Sequence, residues 1–75
     1  MQESSIFEAM VKSWGNPIVP RSKVGQFSGG LLNPRTLANL DCLGNGPEGK
    51  LRIGSKIVYR TEELARWMEG RSSKN

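Results

Sequence analysis

The chain has 75 residues, 36% of them hydrophobic, and a net charge of +4, which suits one small domain (residues 1–75) with a single core. With one cysteine, Cys42, and no histidine, it has neither an intrachain disulfide nor a Cys/His zinc site, and it lacks the commonest general base. The carboxylates read as surface or helix-start residues, so no enzyme, metal or cofactor is expected.

The first segment, "SSIFEAMVKSWGNP", reads as a short helix within an N-terminal helical extension over residues 1–17. Ser5 and Glu8 have the spacing of a capping box. Ile6, Met10 and Trp14 recur along one face, with Phe7 and Val11 beside them, as core or as a docking surface. Gly15 and Pro17 end the helix. "IVPRSKVGQFSGG" is ambiguous. It predicts a short, imperfect helix from Pro20 and Ser22 through Val24 and Phe27, ending at Gly29-Gly30.

"LNPRTLANLDCLG" carries clear helix punctuation. Asn33 is an N-cap, Pro34 suits the first helical position, and Gly44 suits the left-handed C-terminal position. Leu37 and Leu40 point to the core. Arg35 and Asn39 lie one turn apart on another face, with Thr36 at its edge. Both residue types make bidentate bonds to base edges, Arg with guanine and Asn with adenine, although an ordinary solvated face has the same pattern. Asp41 falls next to Leu37 with no evident role.

"GNGPEGKLRIG" contains Gly44 and Gly49-Lys50 in the spacing of a phosphate-cradling nucleotide loop. Such a loop follows a strand, opens a helix and places Ser or Thr after the Lys. Here a helix precedes, alternating strands follow, Leu51 stands after Lys50, and Pro47 removes an N–H donor. A nucleotide site is not expected.

"KLRIGSKIVYR" predicts a β-hairpin turning at Gly54-Ser55. Alternation within each strand puts Leu51, Ile53, Ile57 and Tyr59 on an apolar face. It puts Lys50, Arg52, Lys56 and Arg60 on a basic face suited to a phosphate backbone. "TEELARWMEG" predicts a last helix, with Thr61 as N-cap, Glu62 and Glu63 complementing the helix dipole, and Leu64, Trp67 and Met68 as its core stripe. Residues 71–75 read as a frayed tail. Leu37, Leu40, Ile53, Tyr59, Leu64 and Trp67 are expected in one cluster.

The charge is unevenly spread. Between Arg21 and Arg60, seven cations face only Asp41 and Glu48, while the rest of the chain has four cations against five carboxylates. This suits a polyanion partner, or a solvated basic surface. No apolar run approaches the roughly 20 residues that span a bilayer, and the first residues do not read as a secretory signal, so none is expected. A reducing cytoplasm is the expected setting.

Helix, short helix, polar-faced helix, basic hairpin and helix make an α+β order of winged helix-turn-helix type. At "PRTL", "GPEGKLRIGSK", "VYR" and "EELARWME" the sequence resembles the small excisionase and prophage-regulator family of winged-helix proteins related to MerR-type DNA-binding domains. The stretch covers roughly residues 21–70. Its glycine-broken first motif helix, the turn "GGLLN" and Asp41 depart from the family pattern.

The resemblance implies a double-stranded DNA partner, an integrase or recombinase acting beside it, and cooperative self-association on DNA. It implies an excisionase-like accessory factor or a small prophage transcriptional regulator, located on the nucleoid when bound. The expected DNA-binding residues are Lys23, Arg35, Thr36, Asn39, Lys50, Arg52, Ser55, Lys56 and Arg60. The alternative of another class is a protein-interaction module that docks through the Ile6, Met10 and Trp14 stripe.

Overall fold

The computed structural model describes residues 4–72, and side chains from Ile6 onward. Along the chain run α1 (Ser4–Trp14), β1 (Ile18–Pro20), a 3-10 turn (Arg21–Lys23), α2 (Val24–Phe27), α3 (Pro34–Cys42), β2 (Leu51–Ile53), β3 (Lys56–Arg60) and α4 (Thr61–Arg71). The strands form one antiparallel sheet in the order β1-β3-β2. This is the expected α+β class, a small winged-helix-like arrangement of four helices and a hairpin. Two features differ at once from expectation. The hairpin gains a third strand, β1, and Arg71 belongs to α4 rather than to a tail, whose last residues, 73–75, lie outside those described.

The core forms where the sheet, α2, α3 and α4 converge. Val19, Val24, Leu37, Tyr59 and Leu64 are fully buried, with Phe27, Ala65 and Met68 beside them. α1 closes this core from outside. Its Phe7, Met10, Val11 and Trp14 pack against the buried cluster, and the Trp14 ring meets Phe27 edge-on at 5.8 Å. The Trp14 indole N–H donates to the Ile18 carbonyl at 2.9 Å, satisfying the polar end of a half-buried ring. Ile6, expected in the same stripe, stays 62% exposed. Because α1 already includes Ser4, Ser5 is a helical residue and not the N-cap. The capping box expected with Glu8 involves a side chain outside those described.

Local chemistry explains most boundaries. Gly15 ends α1 at φ 69°, and the 3-10 turn and α2 together make the short, imperfect helix expected before the glycine pair. Asn33 caps α3, its side-chain oxygen accepting from the Thr36 N–H at 2.8 Å. At the other end the Asn45 N–H bonds the Leu40 carbonyl at 2.8 Å and the Gly44 N–H bonds that of Asp41 at 3.1 Å. With Gly44 at φ 80°, this is a Schellman closure.

Thr61 is not the N-cap of α4. Arg60 occupies that position, and Thr61 is a buried first residue whose hydroxyl donates to the Asn16 carbonyl at 2.6 Å. Its N–H donates to the Pro17 carbonyl at 2.9 Å, so Thr61 ties the start of α4 to the α1–β1 connection. Glu62 and Glu63 occupy the first turn of α4, as expected. Trp67 packs against the core only from its edge. Its indole N–H donates to the Asn45 carbonyl at 3.1 Å, and the Arg71 guanidinium lies 4.8 Å from the ring centroid. Leu37, Tyr59 and Leu64 lie in the expected cluster and Leu40 lies against it, but Ile53 is 57% exposed and belongs to no core.

Three side chains from three elements lock the fold. The Tyr59 hydroxyl on β3 donates to Asp41 Oδ2 on α3 at 2.6 Å. From the 3-10 turn, Arg21 Nη2 bonds the same oxygen at 2.6 Å while Nε donates to the Tyr59 hydroxyl at 3.0 Å. The Asp41 side chain retains 5% exposure, so this carboxylate depends on its two partners for the solvation it has lost. Gly46 leaves room for it, because a Cβ there would overlap the Asp41 carboxylate. Gly46→Ala should therefore destabilise the domain by about 1–3 kcal/mol, which lowers Tm by roughly 4–8 °C per kcal/mol. Gly70→Ala, in α4 where an added Cβ meets nothing within 4 Å, should leave Tm unchanged or raise it. Thermal melts of the two variants make the comparison.

Candidate nucleic-acid interface

The start of α3 presents Arg35, Thr36 and Asn39 to solvent, while Leu37 is buried on the opposite side and Leu40 is half-buried against the core. A capped helix pinned by Leu37 and Leu40 presents its outer face in a fixed orientation. The α3 helix follows the 3-10 turn and α2 across the turn "SGGLLN". Ser28 stiffens that turn, its hydroxyl donating to the Val24 carbonyl at 2.7 Å and accepting from the Leu32 N–H at 2.9 Å.

The hairpin supplies the second part of the surface. Ile53 pairs with Lys56 across Gly54-Ser55, and positive φ occurs at Gly54 alone, at 64°. That is the requirement of a type II′ turn. The register pairs Leu51 with Val58 and Arg52 with Ile57. Residues directly opposite share a face, so the expected division into one apolar and one basic face does not hold. Leu51 and Ile53 share a face with Lys56, Val58 and Arg60, whereas Arg52 shares the face of Ile57 and of the buried Tyr59. A two-residue turn pairs odd-numbered with even-numbered residues, and alternation counted within each strand overlooks this. The wing consequently carries cations on both faces.

Lys50, Arg52, Ser55, Lys56 and Arg60 are all exposed, as is Lys23 at the end of the 3-10 turn. Among the described residues, none of Lys23, Arg35, Lys50, Arg52, Lys56 and Arg60 takes part in an ion pair. The ion pairs found there are Arg21–Asp41 and Arg66–Glu63. Wing tip and α3 border one groove, lined by Pro20, Arg21, Ser22, Pro34, Ser55, Lys56 and Ile57. Ser55 and Lys56 are thereby brought beside the start of the helix that carries Arg35. Arg60, at the base of β3, is placed away from the tip and borders Gly49.

Sequence reasoning passed over Arg21 and Ser22, which join this groove, and found no role for Asp41. Their only sequence signal is a basic residue directly after "IVP", which acquires meaning once Tyr59 and Asp41 are brought to it. Among the described residues no group of three or more His, Cys, Asp or Glu could hold a metal ion, and no helix is long and apolar enough to cross a membrane. Compared with protein-family models and with curated protein sequences, the chain matches none.

The polar lock beneath the groove has a measurable pH signature. Burial, followed by the hydrogen bond to Asp41, pushes the Tyr59 hydroxyl up from 10.0 to about 12, against the opposing bond from Arg21. The Arg21 guanidinium is also raised, chiefly by its bond with Tyr59 and, against the opposing effect of burial, by Asp41. A raised tyrosine favours folding fully below the unfolded-state value of 10.0, and that stability drains away as pH rises toward about 12. Melting temperatures across this alkaline window should fall for the parent protein. In Tyr59→Phe the fall should be shallower, from a starting stability lower at neutral pH by about 1.5–3 kcal/mol, because the lost bond is to a buried carboxylate.

Proposed function

We propose that the protein binds double-stranded DNA sequence-specifically, with the start of α3 in the major groove and the β2–β3 wing against the phosphate backbone. The observation that carries this is the placement of Arg35 and Asn39. They lie one turn apart, exposed and free of ion pairs, on a helix fixed from behind, beside a hairpin tip bearing Ser55 and Lys56. Arg and Asn each bond two atoms of one base in the major groove. Thr36 adds a methyl or hydroxyl contact. Cations on both faces of the wing suit a tip flanked by two phosphate strands better than a flat face laid on one.

The resemblance to small excisionases gives the reading its biological form. An accessory factor of that kind binds beside an attachment site, bends the DNA and steers an integrase toward excision, with no bond chemistry of its own. A prophage regulator would use the same contacts, and a footprint on attachment-site or promoter DNA separates the two. The rival docking module would have to use a stripe in which Ile6 is exposed while Met10 and Trp14 are half-buried against the core.

Two measurements test the reading. Arg35→Ala and Asn39→Ala should each lose about 1–3 kcal/mol against the cognate duplex and little against scrambled DNA, in competition binding at one fixed salt concentration. Equal losses on both duplexes would assign these residues to the backbone. For the wing, each phosphate contact contributes about 0.9 to the log–log salt slope, so Arg52→Ala combined with Lys56→Ala should flatten it by up to roughly two. An unchanged slope would remove the wing from the interface.

A further inference from the structure

The groove between α3 and the wing tip contains two cations and two hydroxyls, Arg21, Lys56, Ser22 and Ser55, drawn from the 3-10 turn and the hairpin. Arg21 differs from the other cations of the surface in being held. Its Nε and Nη2 are bonded to Tyr59 and Asp41, while Nη1 donates to nothing among the described residues. A guanidinium carries five N–H donors in a rigid fork, so two bonds leave three for another acceptor. The side chain keeps 24% exposure against 5% for Asp41, which places the carboxylate behind the cation and the cation at the groove. An arginine already fixed in this way loses less side-chain freedom on binding than a solvated lysine.

We propose that this groove is a seat for a DNA backbone phosphate, with Arg21 as its preorganised donor and Ser22, Ser55 and Lys56 completing it. The inference rests on the DNA-binding reading and adds to it a contact from outside α3 and the wing. The seat joins the 3-10 turn to the wing, since one phosphate bound there touches Arg21 and Ser22 on one side and the wing tip on the other. It fixes how far the wing approaches the duplex while α3 lies in the groove. Phosphate contacts of this sort position a protein without reading sequence.

The test is titration of a random duplex of about twenty base pairs at graded salt, with the parent protein, Arg21→Gln, Ser22→Glu and Ser13→Glu. The last makes the same charge change on the exposed α1 surface. Arg21→Gln should reduce the salt slope by about 0.9 and weaken binding to the random duplex. Ser22→Glu, at an exposed position, should weaken binding at least tenfold more than Ser13→Glu. The seat is overturned if the parent binds while folded Arg21→Gln keeps the parental slope, or while Ser22→Glu behaves like Ser13→Glu. If Arg21→Gln does not fold, the comparison of the two glutamate variants decides. A parent protein that fails to bind any duplex at low salt overturns the DNA-binding reading and the seat with it.

Discussion

The buried carboxylate of Asp41 is the point on which the arrangement depends. A charge with 5% exposure is tolerated only if paired, and its partners come from the 3-10 turn and from β3. The pairing leaves little freedom. Arg21 and Tyr59 meet the same oxygen and also each other, so moving α3 relative to β3 breaks at least two bonds at once. The chain then has to pass Asp41 with a residue that has no Cβ, which is the work of Gly46. Apolar burial of Leu37 and Leu64 holds the layers together, but it is non-directional. The polar lock sets their angle.

That angle decides what the surface can do. β3 is the central strand, paired with β1 on one side and β2 on the other, and its Tyr59 reaches Asp41 on α3. The wing is therefore an extension of the strand that orients the helix. Arg35 and Asn39 face outward on α3, and Lys56 and Ser55 reach from the wing into the groove that Pro34 borders at the start of that helix. The start of α3, the 3-10 turn and the wing thus present a polar, cationic margin along one side of the core. α1 adds to the core from behind, and the connection that follows it is tied to the start of α4 by Asn16 and Pro17, which accept from Thr61.

Local signals in the sequence were enough for α3 and for the turn of the hairpin. Asn33, Pro34 and Gly44 act within a few residues of themselves, and Gly54 supplies its own φ. Long-range partners decided the remainder. The strand Ile18–Pro20 is three residues ending in proline, too short for a periodic signal, and exists because β3 offers it a ladder. "TEE" resembles a helix cap, yet Thr61 is captured by Asn16 and Pro17, 45 and 44 residues away in the chain. Asp41 could not be interpreted alone, since its partners lie 18 and 20 residues off. The hairpin faces were available from the turn length, which forces odd and even residues together. Of the candidate site, the exposed residues of α3 and of the wing were legible as polar positions. That Arg21 and Ser22 join the wing tip was not, because only the folded sheet brings them there.

The central claim is that one margin of the domain, made by the start of α3, the 3-10 turn and the wing, meets duplex DNA. It is tested most directly by mapping amide chemical-shift changes of the ¹⁵N-labelled protein as a duplex is added at low salt. The account predicts that the largest changes fall on Ser22, Arg35, Thr36, Asn39 and Gly54 through Lys56, with α1 and the outer face of α4 unmoved. Changes concentrated instead on the groove between α1 and α4, around Glu8, Lys12 and Arg66, would contradict it.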